Sequence, residues 1–165
     1  TLSIIFSIGA TVGAMITKQR LPYRNLSVLA TCHQLGVPAT VHVAIGTDII
    51  HQQSSADGAA IGQTSLADFR RLVGVVSTLG HGGVVGNLGS AVILPEVFLK
   101  AVSIARNLGH SVQEFTAFDF DMIRHYRPSE NVLKRPTLLG GRAVQITGHH
   151  ELMIPLLVRA IVEQL

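Results

Sequence analysis

Tryptophan is absent, cysteine occurs once, and aromatic residues make up only 5% of the 165 residues. The lone Cys32 has no partner for an internal bridge, which excludes a disulfide scaffold and makes a reducing, cytoplasmic setting the default expectation. Charge is scarce as well, at 14% of residues against about a quarter in an average soluble chain. With 47% hydrophobic residues, that scarcity leaves little polar surface to cover a small monomer. A homo-oligomer is therefore expected. No basic stripe exists: the net charge is +3 and the lysines and arginines are scattered, so nucleic acid is not an expected partner.

The uncharged run from Leu2 to Thr17 falls short of the ~20 apolar residues that span a bilayer. Gly9 and Gly13 interrupt it, and it lacks the basic start of a signal peptide. A buried helix is expected there, with the two glycines at a spacing that allows close helix packing, and no membrane association. Because the chain opens on Thr1 inside this apolar run, residues 1–165 are read as a single α/β domain forming the C-terminal part of a longer chain.

Helical and strand patterns alternate along the sequence. Leu26 to Leu35 reads as a helix closed by Gly36, and Ala39 to Ile45 as a β-branched buried strand closed by Gly46. Residues 46–64 show no sustained period and read as a long, functional loop. Ser65 with Asp68 resembles a capping box opening a helix whose Leu66, Phe69, Leu72, Val73, Val76 and Leu79 share one face. Gly82 to Asn87 reads as a second strand running into a glycine-rich turn. A helix opens at Pro95 and Glu96 and buries Val97, Ala101, Ile104, Ala105 and Leu108. Val112 to Phe120 is a third strand, Arg124 to Gly141 a polar connection, and Arg142 to Thr147 a fourth strand. Leu152 to Leu165 closes the chain as a helix with Pro155 in its first turn. The pattern predicts an α/β fold with a mainly parallel sheet and helices on both faces.

Ligands of open α/β sheets bind beyond the carboxyl ends of the strands, which turns this map into a site map. Gly46, Thr47, Asp48, His51 and Asp57 follow the first strand, and Asn87, Gly89 and Ser90 follow the second. Asp119 and Asp121, two apart, leave the third strand on the same side. Small residues from Gly86 to Ala91 suit backbone approach to a phosphate or carboxylate, although no GxGxxG fingerprint is present. The acidic residues suit an amine or ribose hydroxyls. His51, His149 and His150 with an aspartate offer an alternative, a metal-dependent hydrolase, but no HxxxH, HExxH or CxxC spacing supports it. A non-catalytic ligand-binding or assembly module is the third class left open.

The order of motifs resembles the deoxyhypusine synthase family over roughly residues 37–135. Ala56-Asp-Gly-Ala-Ala-Ile-Gly62 follows a strand, Gly82-Gly83 with Asn87 precedes a helix, and Thr116-Ala-Phe-Asp-Phe-Asp121 ends in an acidic loop. That resemblance implies a Rossmann-like fold, NAD bound between subunits, and aminobutyl transfer from spermidine to a protein lysine. On it, Gly46, Thr47, Asp48, Asn87, Gly89 and Ser90 would contact the dinucleotide, while Asp57, Asp119, Asp121 and His51 would serve the chemistry of a small amine substrate. The family's catalytic lysine follows an Arg-Pro-x-Glu stretch and sits beside a tryptophan. Here Arg127-Pro-Ser-Glu130 leads to Lys134 at a shorter spacing, in a chain without tryptophan. The implied protein is a relative that keeps a nucleotide or amine pocket with altered NAD-dependent transferase chemistry.

Overall fold

The computed structural model describes residues 7–165, so residues 2–6 of the expected first helix lie outside the described residues. Contacts divide the chain into two compact units, one through Val73 and one from Gly74 to Leu165. Among the described residues, no helix is long and apolar enough to cross a membrane.

In the first unit, Ser7 caps α1 (Ile8–Lys18) by accepting the Ala10 amide, satisfying one of the orphan donors at a helix start. Gly9 and Gly13 are buried. A Cβ at Gly9 would collide with the Ala39 carbonyl, and one at Gly13 with the Leu29 carbonyl. Their spacing therefore does bring backbones into close approach. Leu29 belongs to α2 (Val28–Leu35), capped by Ser27 and ended by Gly36 in the left-handed conformation, which glycine adopts without a Cβ penalty. Residues 24–26 form a separate 3-10 turn, so the helix starts two residues later than its sequence suggests.

The expected strand over 39–45 is an extended segment as far as Ala44, with Ile45 already in a turn, and it has no strand partner among the described residues. Its alternate amides are taken by α3 (Gly58–Val76) instead: Val41 donates to Asp68 Oδ2 at 3.0 Å and Val43 to Ser65 Oγ at 3.3 Å. Ser65 and Asp68 consequently do not open a helix. Asp57 does, accepting the Ala59 and Ala60 amides at 2.9 and 3.3 Å. The segment 46–64 is thus largely ordered, with a 3-10 turn over Ile49–Gln52 and the first two turns of α3. Leu66 is exposed and Ala67, Asp68, Val73 and Val76 are buried, because α3 must turn its two acceptors toward the extended segment.

The second unit carries three parallel strands in the order β1 (Val84–Leu88), β2 (Thr116–Asp121), β3 (Arg142–Thr147). Between β1 and β2 runs α4 (Ile93–Asn107). Between β2 and β3 the expected polar connection is helical: α5 (Tyr126–Pro128), a π-helical Ser129–Lys134 and α6 (Arg135–Thr137) run end to end. Asn131, Val132 and Leu133 are buried there. Proline breaks the α-helical bond to the carbonyl four residues back, and the wider π turn just before Pro136 absorbs that disruption. α4 and the 126–137 helical run touch each other, so both lie on the same side of the sheet. Gly86 and Phe118 belong to the other face, where the Phe118 ring covers Gly86 and leaves no room for a Cβ. Val84, Leu88, Val144 and Ile146 on that face keep 37–63% exposure.

On α4 the buried positions are Pro95, Phe98, Ala101, Val102 and Ala105, a face rotated from the expected one because Phe98 meets Phe115 edge-on at 6.5 Å. The exposed side carries Glu96, whose Oε1 accepts Asn131 Nδ2 at 2.8 Å and faces Arg127 Nε at 3.2 Å, while Oε2 pairs with Lys100 at 3.2 Å. The Lys100 hydrogen bond first, and then the charges of Lys100 and Arg127, hold the Glu96 carboxyl below its ordinary value of 4.5 against a partial desolvation. A depressed carboxyl stabilises the fold fully above its unfolded value, and loses that contribution as pH falls through the lower folded value. Glu96→Gln is therefore expected to flatten the acid limb of stability below pH 4.5. Urea midpoints measured across that range check it, and parallel limbs for both proteins would contradict the assignment.

α7 (His150–Val162) begins two residues before its expected start, so Pro155 sits inside the helix and not in its first turn.

Candidate functional site at the carboxyl end of the sheet

Parallel pairing places Asn87, Asp119 and Gln145 at one level on three neighbouring strands, with side chains on one face. Asp119 is fully buried. Its Oδ1 accepts Asn87 Nδ2 at 2.7 Å and its Oδ2 accepts Gln145 Nε2 at 3.2 Å. Asn87 Nδ2 also donates to the Ser90 carbonyl at 3.0 Å. The carboxylate thus holds the end of β1, and with it the turn into α4, by an amide on each side.

That turn is Gly89-Ser90. Gly89 has φ +68°, and a Cβ there would come within 3.2 Å of His150 Nε2. Its amide donates to the Phe120 carbonyl at 3.1 Å, and Ser90 Oγ accepts the Leu94 amide at 3.2 Å, closing the first turn of α4. His150 Nε2 lies 3.0 Å from the Phe120 carbonyl. A carbonyl only accepts, so Nε2 carries the proton in this contact.

Asp121 stands at the rim, two residues beyond Asp119 on the same side. Its side chain is 12% exposed, with Oδ2 3.9 Å from His125 Nε2 and Oδ1 accepting the Met122 amide at 2.7 Å. Of the residues expected from sequence, the structure therefore gathers Asn87, Gly89, Ser90, Asp119 and Asp121. Gln145 and His125 lie outside that expectation, whereas a hydrogen bond from His150 is what a histidine at a helix start predicts. A glutamine in a strand carries no signal until the register sets it beside an aspartate.

Gly46, Thr47, Asp48, His51 and Asp57 belong to the first unit, where they serve its turns. The Gly46 amide donates to His51 Nδ1 at 3.1 Å, Thr47 Oγ1 donates to the Ala44 carbonyl at 2.7 Å, and the His51 amide donates to the Asp48 carbonyl at 3.1 Å. With Nδ1 accepting, the proton lies on His51 Nε2, which is buried without a partner among the described residues. His42 lies in the extended segment with Nε2 3.0 Å from Thr40 Oγ1. Burial lowers its pKa, and nearby Asp68 opposes that shift. Cys32 and His33, neighbours on α2, line one cleft of about 280 Å³ together with Arg71.

Lys134 is exposed and paired with Glu130 at 3.1 Å. Among the described residues, no three of His, Cys, Asp and Glu converge as a metal would require. No protein-family model matches the chain, and no curated protein or solved structure is detectably similar to it.

Proposed function

We propose that the carboxyl end of the β1–β2–β3 sheet binds a small ligand with ribose or amine groups, and that NAD is the first cofactor to test. The observation that carries this reading is the fully buried Asp119, clamped between the Asn87 and Gln145 amides beneath the Gly89-Ser90 turn. Burying a carboxylate costs stability unless donors satisfy it, and here the donors fix the strand ends at the place where open α/β sheets take ligands. In this reading Asp119 is a positioning residue. Asp121, at the rim beside His125, is the group that meets ribose hydroxyls or an ammonium.

In this reading the α/β frame is Rossmann-like: α4 with the 126–137 helical run supplies one layer, and the opposite face, where Val84, Leu88, Val144 and Ile146 stay exposed, is where a second layer would pack. The turn and the acidic strand end suit a dinucleotide ribose. Bound NAD supplies a hydride acceptor for a carbon next to an amine. Around it, Asp121 would hold the cationic substrate by charge and Ser90 would shape the entrance. Lys134 takes no part: an imine-forming lysine needs a largely neutral amine, and this one is exposed and ion-paired with Glu130.

Thermal unfolding with NAD, spermidine or both at millimolar concentration tests the proposal. A ligand at a hundred times its Kd stabilises the native state by about 2.7 kcal/mol. The expected result is a rise in Tm that Ser90→Trp removes, since an indole there fills the entrance. No rise with either compound, or an equal rise in Ser90→Trp, rejects the site.

A further inference from the structure

The cleft of the first unit has a charge pattern of its own, separate from the carboxyl end of the sheet. Its volume is about 280 Å³, and Leu29, Val37 and Pro38 give it apolar walls. Two side chains that can carry positive charge, Arg71 and His33, line it, and among the described residues no aspartate or glutamate does. Arg71 follows Asp68 by three residues on α3, so the two side chains leave neighbouring sides of that helix. Asp68 does not line the cleft. The Ile8, Gly9 and Val41 amides hold its carboxylate, and this clamp sets α3, and with it Arg71, beside the start of α1 and the 37–39 segment. Arg71 itself is exposed and joins no ion pair among the described residues.

We propose that this cleft binds a small organic carboxylate, with Arg71 as its anchor. A guanidinium takes a carboxylate through two parallel N–H···O bonds, which fix the ligand's direction as well as satisfy its charge. The lining favours a carboxylate over a phosphate, which needs further donors. The Gly9 amide is already bonded to Asp68, the Ala10 amide to Ser7 Oγ and the Val37 amide to the Cys32 carbonyl. One charged fork beside apolar walls suits a monoanion with a short hydrocarbon body. The volume limits that body to a few carbons, since drug-sized ligands occupy about 300–1,000 Å³. Cys32 lines the same cleft and is the only cysteine in the chain, so its thiol reports on what enters. It is given no catalytic part.

Alkylation of the full chain tests the proposal. Iodoacetate carries a carboxylate and iodoacetamide is its neutral counterpart, so the ratio of their rates at Cys32 measures attraction of the anion into the cleft. Folding should raise that ratio about tenfold over the urea-unfolded chain, the lower end of what a cleft lined by one sign of charge gains. Arg71→Gln should return it to the unfolded ratio, and Arg71→Lys should keep part of it, since the charge remains without the fork. Millimolar butyrate should slow iodoacetamide at Cys32 and raise the Tm of Cys32→Ser, while butyramide and inorganic phosphate should do neither. Far-UV circular dichroism confirms that each variant is folded. Where the folded thiol reacts with neither reagent, the Tm measurement alone decides. A ratio unchanged by folding, an enhancement that survives Arg71→Gln, or no Tm rise with butyrate would each overturn the proposal. An equal effect of butyramide or phosphate would overturn the assignment to a carboxylate.

Discussion

Asp68→Ala is expected to destabilise the first unit by about 3–5 kcal/mol, the range for a buried charged partner removed from its donors. Asp68 is fully buried in the middle of α3. Its Oδ2 accepts the Ile8 amide at 3.0 Å, the Gly9 amide at 3.3 Å and the Val41 amide at 3.0 Å. One oxygen thereby ties together the positive end of the α1 dipole, the extended segment and α3. Alanine leaves all three amides without an acceptor and opens a void. Asp68→Asn keeps one acceptor oxygen and should cost markedly less. Urea unfolding followed by circular dichroism gives the magnitude, and amide hydrogen exchange at Ile8, Gly9 and Val41 gives the location. A loss below about 1 kcal/mol, the worth of an ordinary hydrogen bond, or unchanged protection at those amides would show that the clamp does not carry the unit.

Asp119→Ala is expected to cost about 2–4 kcal/mol, because two side-chain amides lose their acceptor in a buried row. It should also abolish any ligand-induced stabilisation at the carboxyl end of the sheet. Asn87 keeps its bond to the Ser90 carbonyl, so β1 stays in place while the turn above it loosens. Asp119→Asn is a separate probe. An asparagine presents one oxygen where the carboxylate presents two, so either Asn87 or Gln145 then faces an N–H₂ group. The half-satisfied row should be less stable than wild type without loss of the fold. Urea midpoints and ligand-dependent Tm values for both variants decide the matter. Wild-type stability in Asp119→Ala would remove the row from any structural account, and retained ligand stabilisation would remove it from the site.

The α/β class followed from short-range chemistry that the sequence states openly. Val84–Leu88, Thr116–Asp121 and Arg142–Thr147 each fall within or beside an expected strand, and Gly36 ends α2 where a left-handed residue is needed. The same local logic placed Asn87, Gly89, Ser90, Asp119 and Asp121 at strand ends. It failed wherever a polar side chain had two uses. Ser65 and Asp68 have the spacing of a helix start, and nothing local shows that their oxygens serve the amides of Val41 and Val43 more than twenty residues away in sequence. Those bonds tie the 39–44 segment to α3, and among the described residues it pairs with no strand.

The 124–141 stretch, with two prolines and many polar residues, reads as loop because a π-helical turn has no sequence period of its own. Sequence alone therefore determined the three strands of the sheet and the residues near their ends, since both depend on neighbours within a few positions. Tertiary structure alone decided that Asn87, Asp119 and Gln145 form one hydrogen-bonded row and that Asp68 is a clamp. Each of these depends on register or packing between residues far apart in the chain, where one strand slipped by a residue would turn every side chain to the other face.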